Sequence, residues 1–329
     1  MQKILVIQTA FTGDVVLATA LVEKLHRFFP GAHIDFLVRK GNEGLLSNHP
    51  FLHEVLVWNK KENKKKNLLH LFKKIRKEKY DKVINLQRFA STGILTAFSG
   101  AKEKIGFDKN PFSFLFTKKI KHDLSNKKHE VERNNALIQH FTDDSFTKPR
   151  LYPSAKDYSE VKKYTLQPYV CMMPASVWFT KQYPVEKWID FINNFPSTYN
   201  IFLLGGKEDA ILCEKIKEKS INNKIEILAG KLNFLSSVAL MKNAAMNFTN
   251  DSAPLHFASA VDAPVTAIFC STVPAFGFYP ISSKSFIVET KEILTCRPCS
   301  LHGLKVCPLG HFKCAYTIET DQLLSTLSE

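Results

Sequence analysis

The stretch KILVIQTAFTGDVVLATALVEKLHRFFPG, residues 3–31, decides the fold class. Lys3 to Gln8 is an apolar run of strand length. After a turn at Gly13-Asp14, Leu17, Leu21, Leu25 and Phe28 recur at helical spacing and mark one apolar face, and Phe29-Pro30-Gly31 stops the helix. Strand, glycine turn and helix in this order open a parallel α/β sheet. The same residues have the outline of a secretory leader, with Lys3, an apolar stretch and Ala18-Thr19-Ala20 as a small-residue cleavage site. Asp14 inside the apolar region argues against that reading. No run of 18 uncharged apolar residues occurs anywhere, so no spanning helix is expected.

Outward from this unit the alternation continues. Strands are expected at His33 to Val38, Glu54 to Trp58 and Lys82 to Leu86, and the lysine-rich stretch Lys60 to Lys79 is expected to contain a helix with Leu68, Leu69, Phe72 and Ile75 facing inward. Around Thr147 to Gln167 the pattern breaks, with Pro149, Pro153 and Pro168 flanking a polar segment, which predicts domains at 1–150 and 151–329. A second series follows, with strands at Tyr169 to Met173, Asn200 to Leu204, Ile225 to Leu228, Met246 to Thr249 and Val265 to Cys270. Its helices begin near Pro184, Lys207, Asn233 and Ser252. The expected architecture is α/β, two Rossmann-like domains whose parallel sheets face an interdomain cleft, with ligands at the carboxyl ends of the strands.

Charge divides along the same line. Of a net +14, residues 1–150 hold 28 Lys+Arg against 15 Asp+Glu, whereas residues 151–329 hold 17 against 16. The first domain is therefore the expected meeting place for a polyanion: nucleic acid, an anionic membrane surface or a phosphorylated glycolipid. Solvated lysine faces are the plainer explanation of any single run. A basic nucleic-acid-binding protein accounts for the charge but not for the paired sheets, and no nucleic-acid module is legible.

Several residues at predicted strand ends suit chemistry. Gly13 permits a tight bend and Asp14 would face the cleft, although capping a helix is the commoner use of such an aspartate. Asn250-Asp251-Ser252-Ala253-Pro254-Leu255-His256 ends one strand and starts a helix, where free N–H groups favour a diphosphate and Ser252 is a natural cap. Ser176 ends the first strand of the second domain, and Lys181 follows, placed to offset charge on a departing phosphate. Gly205-Gly206-Lys207-Glu208 ends the next strand, where Glu208 can accept hydrogen bonds from a ribose. Each is also an ordinary turn when taken singly.

Together these residues resemble glycosyltransferase family 9, the lipopolysaccharide heptosyltransferases with a GT-B fold. The likeness runs through Ile4 to Ile7, Gly13 to Thr19 and Phe29 to Ile34, then His129-Glu130-Val131-Glu132-Arg133-Asn134, Lys181-Gln182-Tyr183-Pro184, Gly205 to Glu208 and Asp251 to His256. The resemblance implies Asp14 as catalytic base and donor binding by Lys181, Glu208, Asp251, Ser252 and His256. Ala253 stands where the family usually has glycine, and its methyl group bears on the pose of the donor.

The implied activity is inverting transfer of heptose from ADP-heptose to the lipopolysaccharide inner core, with Asp14 and Lys181 catalytic and no cofactor required for catalysis. Transfer of another nucleotide sugar, or to another glycolipid, is the alternative on the same fold. Lys64 to Lys66, Arg88, Lys127, Lys128 and Arg133 would hold the acceptor's phosphates and carboxylates. A cytoplasmic enzyme peripheral to the inner membrane is expected, with no nucleic-acid partner.

Cys296, Cys299, Cys307 and Cys314 group four thiols within nineteen residues. A structural Zn2+ site, disulfides and free thiols all remain open on spacing alone.

Overall fold

The computed structural model describes residues 1–125 and 127–328. The chain divides into two compact units, Met1–Tyr152 and Pro153–Glu329. Each is built on one six-stranded, wholly parallel sheet.

In the first unit the strands are β1 (Lys3–Ile7), β2 (His33–Arg39), β3 (Glu54–Trp58), β4 (Lys82–Asn85), β5 (Glu103–Phe107) and β6 (Lys118–Ile120), in the order β3-β2-β1-β4-β5-β6. β1 lies in the middle, its Lys3 opposite His33 and its Ile4 opposite Lys82. Ile4, Leu5, Val6 and Ile7 are fully buried, as a strand covered on both faces requires. The helices are α1 (Thr12–Phe28), α2 (Lys64–Glu78), α3 (Ala90–Ala97) and α4 (Glu130–Ala136). One side of the sheet packs Leu5, Ile7 and Trp58 against Leu71 and Ile75 of α2 and against Tyr80.

The second unit repeats the plan with β7 (Tyr169–Met173), β8 (Asn200–Leu203), β9 (Ile225–Ile227), β10 (Asn247–Asn250), β11 (Val265–Phe269) and β12 (Ser285–Glu289), ordered β12-β11-β10-β7-β8-β9. Its helices are α5 (Ala155–Val161), α6 (Val185–Asn193), α7 (Ala210–Lys219), α8 (Phe234–Lys242), α9 (Ala253–Ala260), α10 (Lys313–Tyr316) and α11 (Thr320–Ser328). Edge-on contacts of Phe191 and Phe195 with Phe248 tie α6 to β10, at ring-centroid distances of 4.8 and 5.8 Å. None of the described helices is long and apolar enough to cross a membrane.

Three expectations are corrected. α1 starts at Thr12, so Asp14 occupies its first turn rather than preceding it, and its carboxylate accepts the Phe11 N–H at 3.1 Å. On α2 Leu68, Phe72 and Ile75 face inward as expected, but Leu69 is 53% exposed and Leu71 takes its place, because Leu71 lies on the same helical stripe as the other three. Strands β5, β6 and β12 were not expected. β5 carries Gly106 under the Phe116 ring, β6 is a short polar edge strand, and β12, at the edge of the second sheet, holds an apolar run of only three residues, Phe286-Ile287-Val288.

α1 holds one buried charge. Lys24 has no exposed surface, and its Nζ donates to the carbonyls of Asp143 (2.6 Å) and Ser145 (2.9 Å) and pairs with the Asp143 carboxylate. A buried lysine is tolerated only when its donors are used. Replacing it by methionine keeps the apolar stem and strands both carbonyls. Lys24→Met should therefore destabilise the first unit by about 2–3 kcal/mol in urea unfolding; an unchanged midpoint would show that the 143–145 segment contributes nothing to its stability.

Candidate active site

Because all strands of a sheet run the same way, their carboxyl ends bring distant segments to one edge. In the first unit that edge gathers Asp14 after β1, Arg39 at the end of β2, Lys60 after β3, Arg88 after β4, Lys109 after β5 and His122 after β6. Asp14 acts electrostatically on Arg39 on one side and on Glu130 of α4 on the other. Partial burial lowers the Arg39 guanidinium, and Asp14 opposes that shift.

Lys60 donates to the Thr9 carbonyl (2.8 Å) and hydroxyl (3.0 Å). Burial, with Arg39 and Lys64 nearby, brings its ammonium down to about 8. Arg39, Lys60 and Lys64 lie close together here, with Asp14 beside Arg39, and such a group of cations favours an anion in front of it.

On the other flank Glu130 accepts from Arg133 Nε at 2.8 Å, and Arg133 Nη1 also donates to the Lys128 carbonyl. Both side chains are almost wholly inside the protein. Burial pushes the Glu130 carboxyl up to about 7, against the pull of Arg133 and with a further push from Asp14. His122 is pressed down to about 4, first by burial and then by Lys109 and Arg133. Asn85 Nδ2 and Gln87 Oε1, at the end of β4, are buried without hydrogen-bond partners among the described residues.

Of the basic residues expected to meet an acceptor, Lys64, Arg88, Lys127 and Lys128 are exposed, with Arg88 stacked on Phe89. Arg133 is instead buried against Glu130. Gly13 is buried at the start of α1.

In the second unit the edge is held by Asn250, fully buried, whose side chain accepts from Tyr183 N (2.9 Å) and donates to the Pro174 carbonyl (2.8 Å). That staple sets the Lys181 turn beside the end of β10. Lys181 Nζ lies 2.6 Å from Asp251 Oδ2, which also accepts from Thr272 at 2.7 Å.

Ser252 occupies the N-cap position of α9 but makes no side-chain cap bond, so the expected capping role is corrected. Its hydroxyl is turned toward the Asn250 carbonyl instead. Ala253 takes the first helical position, with its methyl group partly exposed. His256 is buried one turn further along.

Ser176 and Gly205 to Glu208 follow the neighbouring strands β7 and β8. A Cβ at Gly205 would fall 2.7 Å from Asp209 Cβ, so glycine is needed there, whereas one at Gly206 would meet only the exposed Glu208 carboxylate, which can turn aside.

The cysteine-rich segment braces the Lys181 turn. Thr180 N donates to Leu304 O (3.1 Å), and Leu304 N donates back to the Thr180 hydroxyl (2.8 Å). Gly303, at φ +83°, leaves room for Lys181, where a Cβ would sit 2.8 Å from Lys181 Cγ. All four of its cysteines are free thiols, so the disulfide alternative is not adopted.

Cys296, Cys299 and Cys307 line a cavity of about 250 Å³ with Pro298, Pro308 and Leu309. Among the described residues no three His, Cys, Asp or Glu side chains are placed to hold a metal ion. The zinc expectation is not met by this arrangement, because Cys314 is packed into the apolar core and Cys299 Sγ is turned to the Cys296 carbonyl at 3.3 Å.

Two parallel-sheet units, one with a carboxylate among cations at its edge and one with a lysine–aspartate pair beside a helix start, are those of a GT-B glycosyltransferase. A family model for glycosyltransferase family 9 (heptosyltransferase) matches residues 68–304, and the chain belongs to that family. It is 28% identical to lipopolysaccharide heptosyltransferase 3 of Escherichia coli over 281 residues, covering 80% of this chain and 82% of the relative.

The solved ADP-heptose lipopolysaccharide heptosyltransferase II of Escherichia coli superposes with a TM-score of 0.81 at 21% identity, covering 99% of this chain and 98% of that one. A family 9 glycosyltransferase from Veillonella parvula superposes at 0.85 with 20% identity, covering 99% and 96%.

Glu130 yields a test of the first edge. Between about pH 4.5 and pH 7 the folded protein keeps a proton on Glu130 that the unfolded chain has released, so stability falls as pH rises through that window. Glu130→Gln has no proton to lose, and its denaturation midpoint should lack that fall. Parallel pH profiles for the two proteins would mean Glu130 is ionised in the fold throughout.

Proposed function

We infer that this protein transfers heptose from ADP-heptose to an anionic lipopolysaccharide core with inversion at the anomeric carbon. Family membership supplies the reaction class, and the two Escherichia coli relatives named above are lipopolysaccharide heptosyltransferases by name, one of them with ADP-heptose. The observation that carries the reading is Asp14, set at a sheet edge whose other charged groups are mainly cationic.

In this reading the unit Met1–Tyr152 binds the acceptor. Arg39, Lys60, Lys64, Arg88, Lys127 and Lys128 meet its phosphates and carboxylates, and Asn85 and Gln87 offer hydrogen bonds to sugar hydroxyls. Arg133 acts through Glu130, which lies beside the base.

The unit Pro153–Glu329 binds the donor. The N–H groups at the start of α9 and the Lys181 ammonium face the diphosphate, while Glu208, Ser176, Gly205 and Gly206 border the nucleoside. Asp251 orients Lys181, with Ser252 and His256 alongside.

In the chemical step the acceptor hydroxyl oxygen attacks the anomeric carbon as its proton passes to the Asp14 carboxylate. The bond from that carbon to the phosphate oxygen breaks, and the nucleoside diphosphate leaves with the electron pair. Lys181 and the helix start stabilise the charge that gathers on it. These groups carry the step without a cofactor. A glycolipid acceptor places the enzyme at the cytoplasmic face of the inner membrane as a peripheral protein.

Asp14→Asn should lower kcat by about 10² to 10⁴ while leaving nucleotide-sugar affinity unchanged; wild-type turnover would remove the base assignment. The donor is tested separately by thermal shift with nucleoside diphosphates. Stabilisation by ADP and its sugars alone is the expected result, and preference for UDP or GDP would replace the donor while keeping the fold and the base.

A further inference from the structure

The first unit carries an exposed aromatic strip that the reaction does not use. Phe89, the N-cap residue of α3, is 54% exposed, and Phe98, its C-cap residue, is 45% exposed. Beside them the 109–116 segment presents Phe114 at 70% and Leu115 at 37%.

The rings form a chain, Phe98 to Phe112 at 6.4 Å and Phe112 to Phe114 at 6.4 Å with planes only 21° apart. The segment is built onto α3 and does not merely lie near it. Asn110 Nδ2 donates to the carbonyls of Gln87 (2.8 Å) and Phe89 (3.2 Å), and Gly93 admits it where a Cβ would come within 2.2 Å of Asn110 Oδ1. Held in this way, the apolar side chains stay in solvent at the cost of their hydration, and exposed apolar groups gathered on one part of a protein mark an interaction surface.

The surroundings say what covers it. α2 adjoins α3, and Arg76 Nη1 reaches toward the Phe98 carbonyl at 3.5 Å. From Lys64 to Glu78 the helix carries seven Lys and Arg and a single acid, Glu78, and Lys73, Arg76 and Lys77 are exposed. Arg88 stacks on Phe89, and Lys109 opens the loop beside one exposed acid, Asp108. Exposed aromatics flanked by long cationic side chains match a bilayer with anionic headgroups, where rings enter the interface and ammonium groups meet phosphate.

We propose that the α3–loop strip and the adjoining face of α2 are the surface by which this protein docks onto an anionic lipid bilayer. The proposal rests on the reading of the acceptor as a glycolipid, and it names the surface that brings the enzyme to it. Arg88 lies at the Phe89 end of the strip and also acts on His122 at the sheet edge, so the docked surface borders the edge that carries Asp14.

The test uses the full chain without sugar nucleotide or acceptor, so failure of the transferase reading does not touch its result. Co-sedimentation is measured with vesicles of phosphatidylcholine alone and with added phosphatidylglycerol. Wild type should partition onto the anionic vesicles at least tenfold better than onto the neutral ones, and high salt should reduce the difference.

Phe89→Ser/Phe114→Ser should lower partition by about tenfold or more, since both rings leave the interface. Lys73→Glu/Lys77→Glu, on exposed helical positions, should lower partition onto the anionic vesicles only. An unchanged thermal midpoint shows that each variant is folded. Equal partition onto both vesicle types, or folded variants that partition like wild type, would overturn the proposal. A dimer of wild type that the double phenylalanine variant dissociates, with no vesicle binding by either, would assign the strip to a second copy of the chain instead.

Discussion

Ile4, Leu5, Val6 and Ile7 of β1 have no exposed surface, and a strand buried on both faces leaves its backbone and side chains few ways to be satisfied. Its N–H and C=O groups need partner strands on both sides, which β2 and β4 provide, and its side chains need apolar cover above and below. Polar chemistry cannot occur along such a strand. It is displaced to the carboxyl end, where Gln8, Thr9 and Asp14 follow at once, and parallel neighbours deliver their own polar residues to the same place. β10 imposes the same rule on the second unit. There Asn250 is the last strand residue, and its buried amide fastens the Lys181 turn before Asp251 begins the helix connection.

The two edges solve opposite electrostatic problems. Around Asp14 the cations outnumber the carboxylates, and Lys60, lowered to about 8 first by burial, is pushed further down by Arg39 and Lys64. An anionic ligand would relieve that repulsion, so part of its binding free energy comes from strain present in the free protein. In the second unit Lys181 is matched by Asp251 at 2.6 Å in a largely buried pair. A phosphate reaching Lys181 must share it with a carboxylate, which favours a ligand brought in by several contacts over a small anion. This difference agrees with the uneven distribution of charge along the sequence, +13 in residues 1–150 and +1 in residues 151–329.

Much of this was legible in the sequence because it depends on local signals. Strands buried on both faces read as continuous apolar runs, and β1, β2, β3, β4 and the central strands of the second sheet were placed within one residue or so at each end. Edge strands such as Lys118–Ile120 carry too little apolar residue to register. Asp14, Lys181 and Asp251 stand at turns that punctuation by glycine, serine and proline marks out. Arg39 and Lys60 do not, since an arginine closing a strand and a lysine in a lysine-rich run look solvated until the sheet brings them beside Asp14. Glu130 was visible only as one letter of a motif, and its significance comes from burial, which sequence spacing does not report. On α2 the apolar stripe through Leu68, Phe72 and Ile75 is legible, and only the choice between Leu69 and Leu71 is left to packing, which selects Leu71.

The C-terminal cysteine-rich segment is part of the edge that carries Lys181 and Asp251 rather than an appendage. Arg297 binds the carbonyls of Phe269, Cys270 and Thr272 and pairs with Glu289 at 2.6 Å, and Cys299 N donates to the Ser271 carbonyl. Those carbonyls belong to the end of β11 and the residues that follow it, next to the Thr272 hydroxyl that holds Asp251. The segment thus fixes Asp251 from one side through Thr272, and Lys181 from the other through Thr180 and Gly303. A lysine with four rotatable bonds is a poor electrostatic device unless its stem is confined. Here the confinement is steric, at the one position where the chain can turn at φ +83° without a side chain. Gly303 serves that geometry, while Cys296, Cys299 and Cys307 of the same segment line a cavity and Cys314 packs into the apolar core.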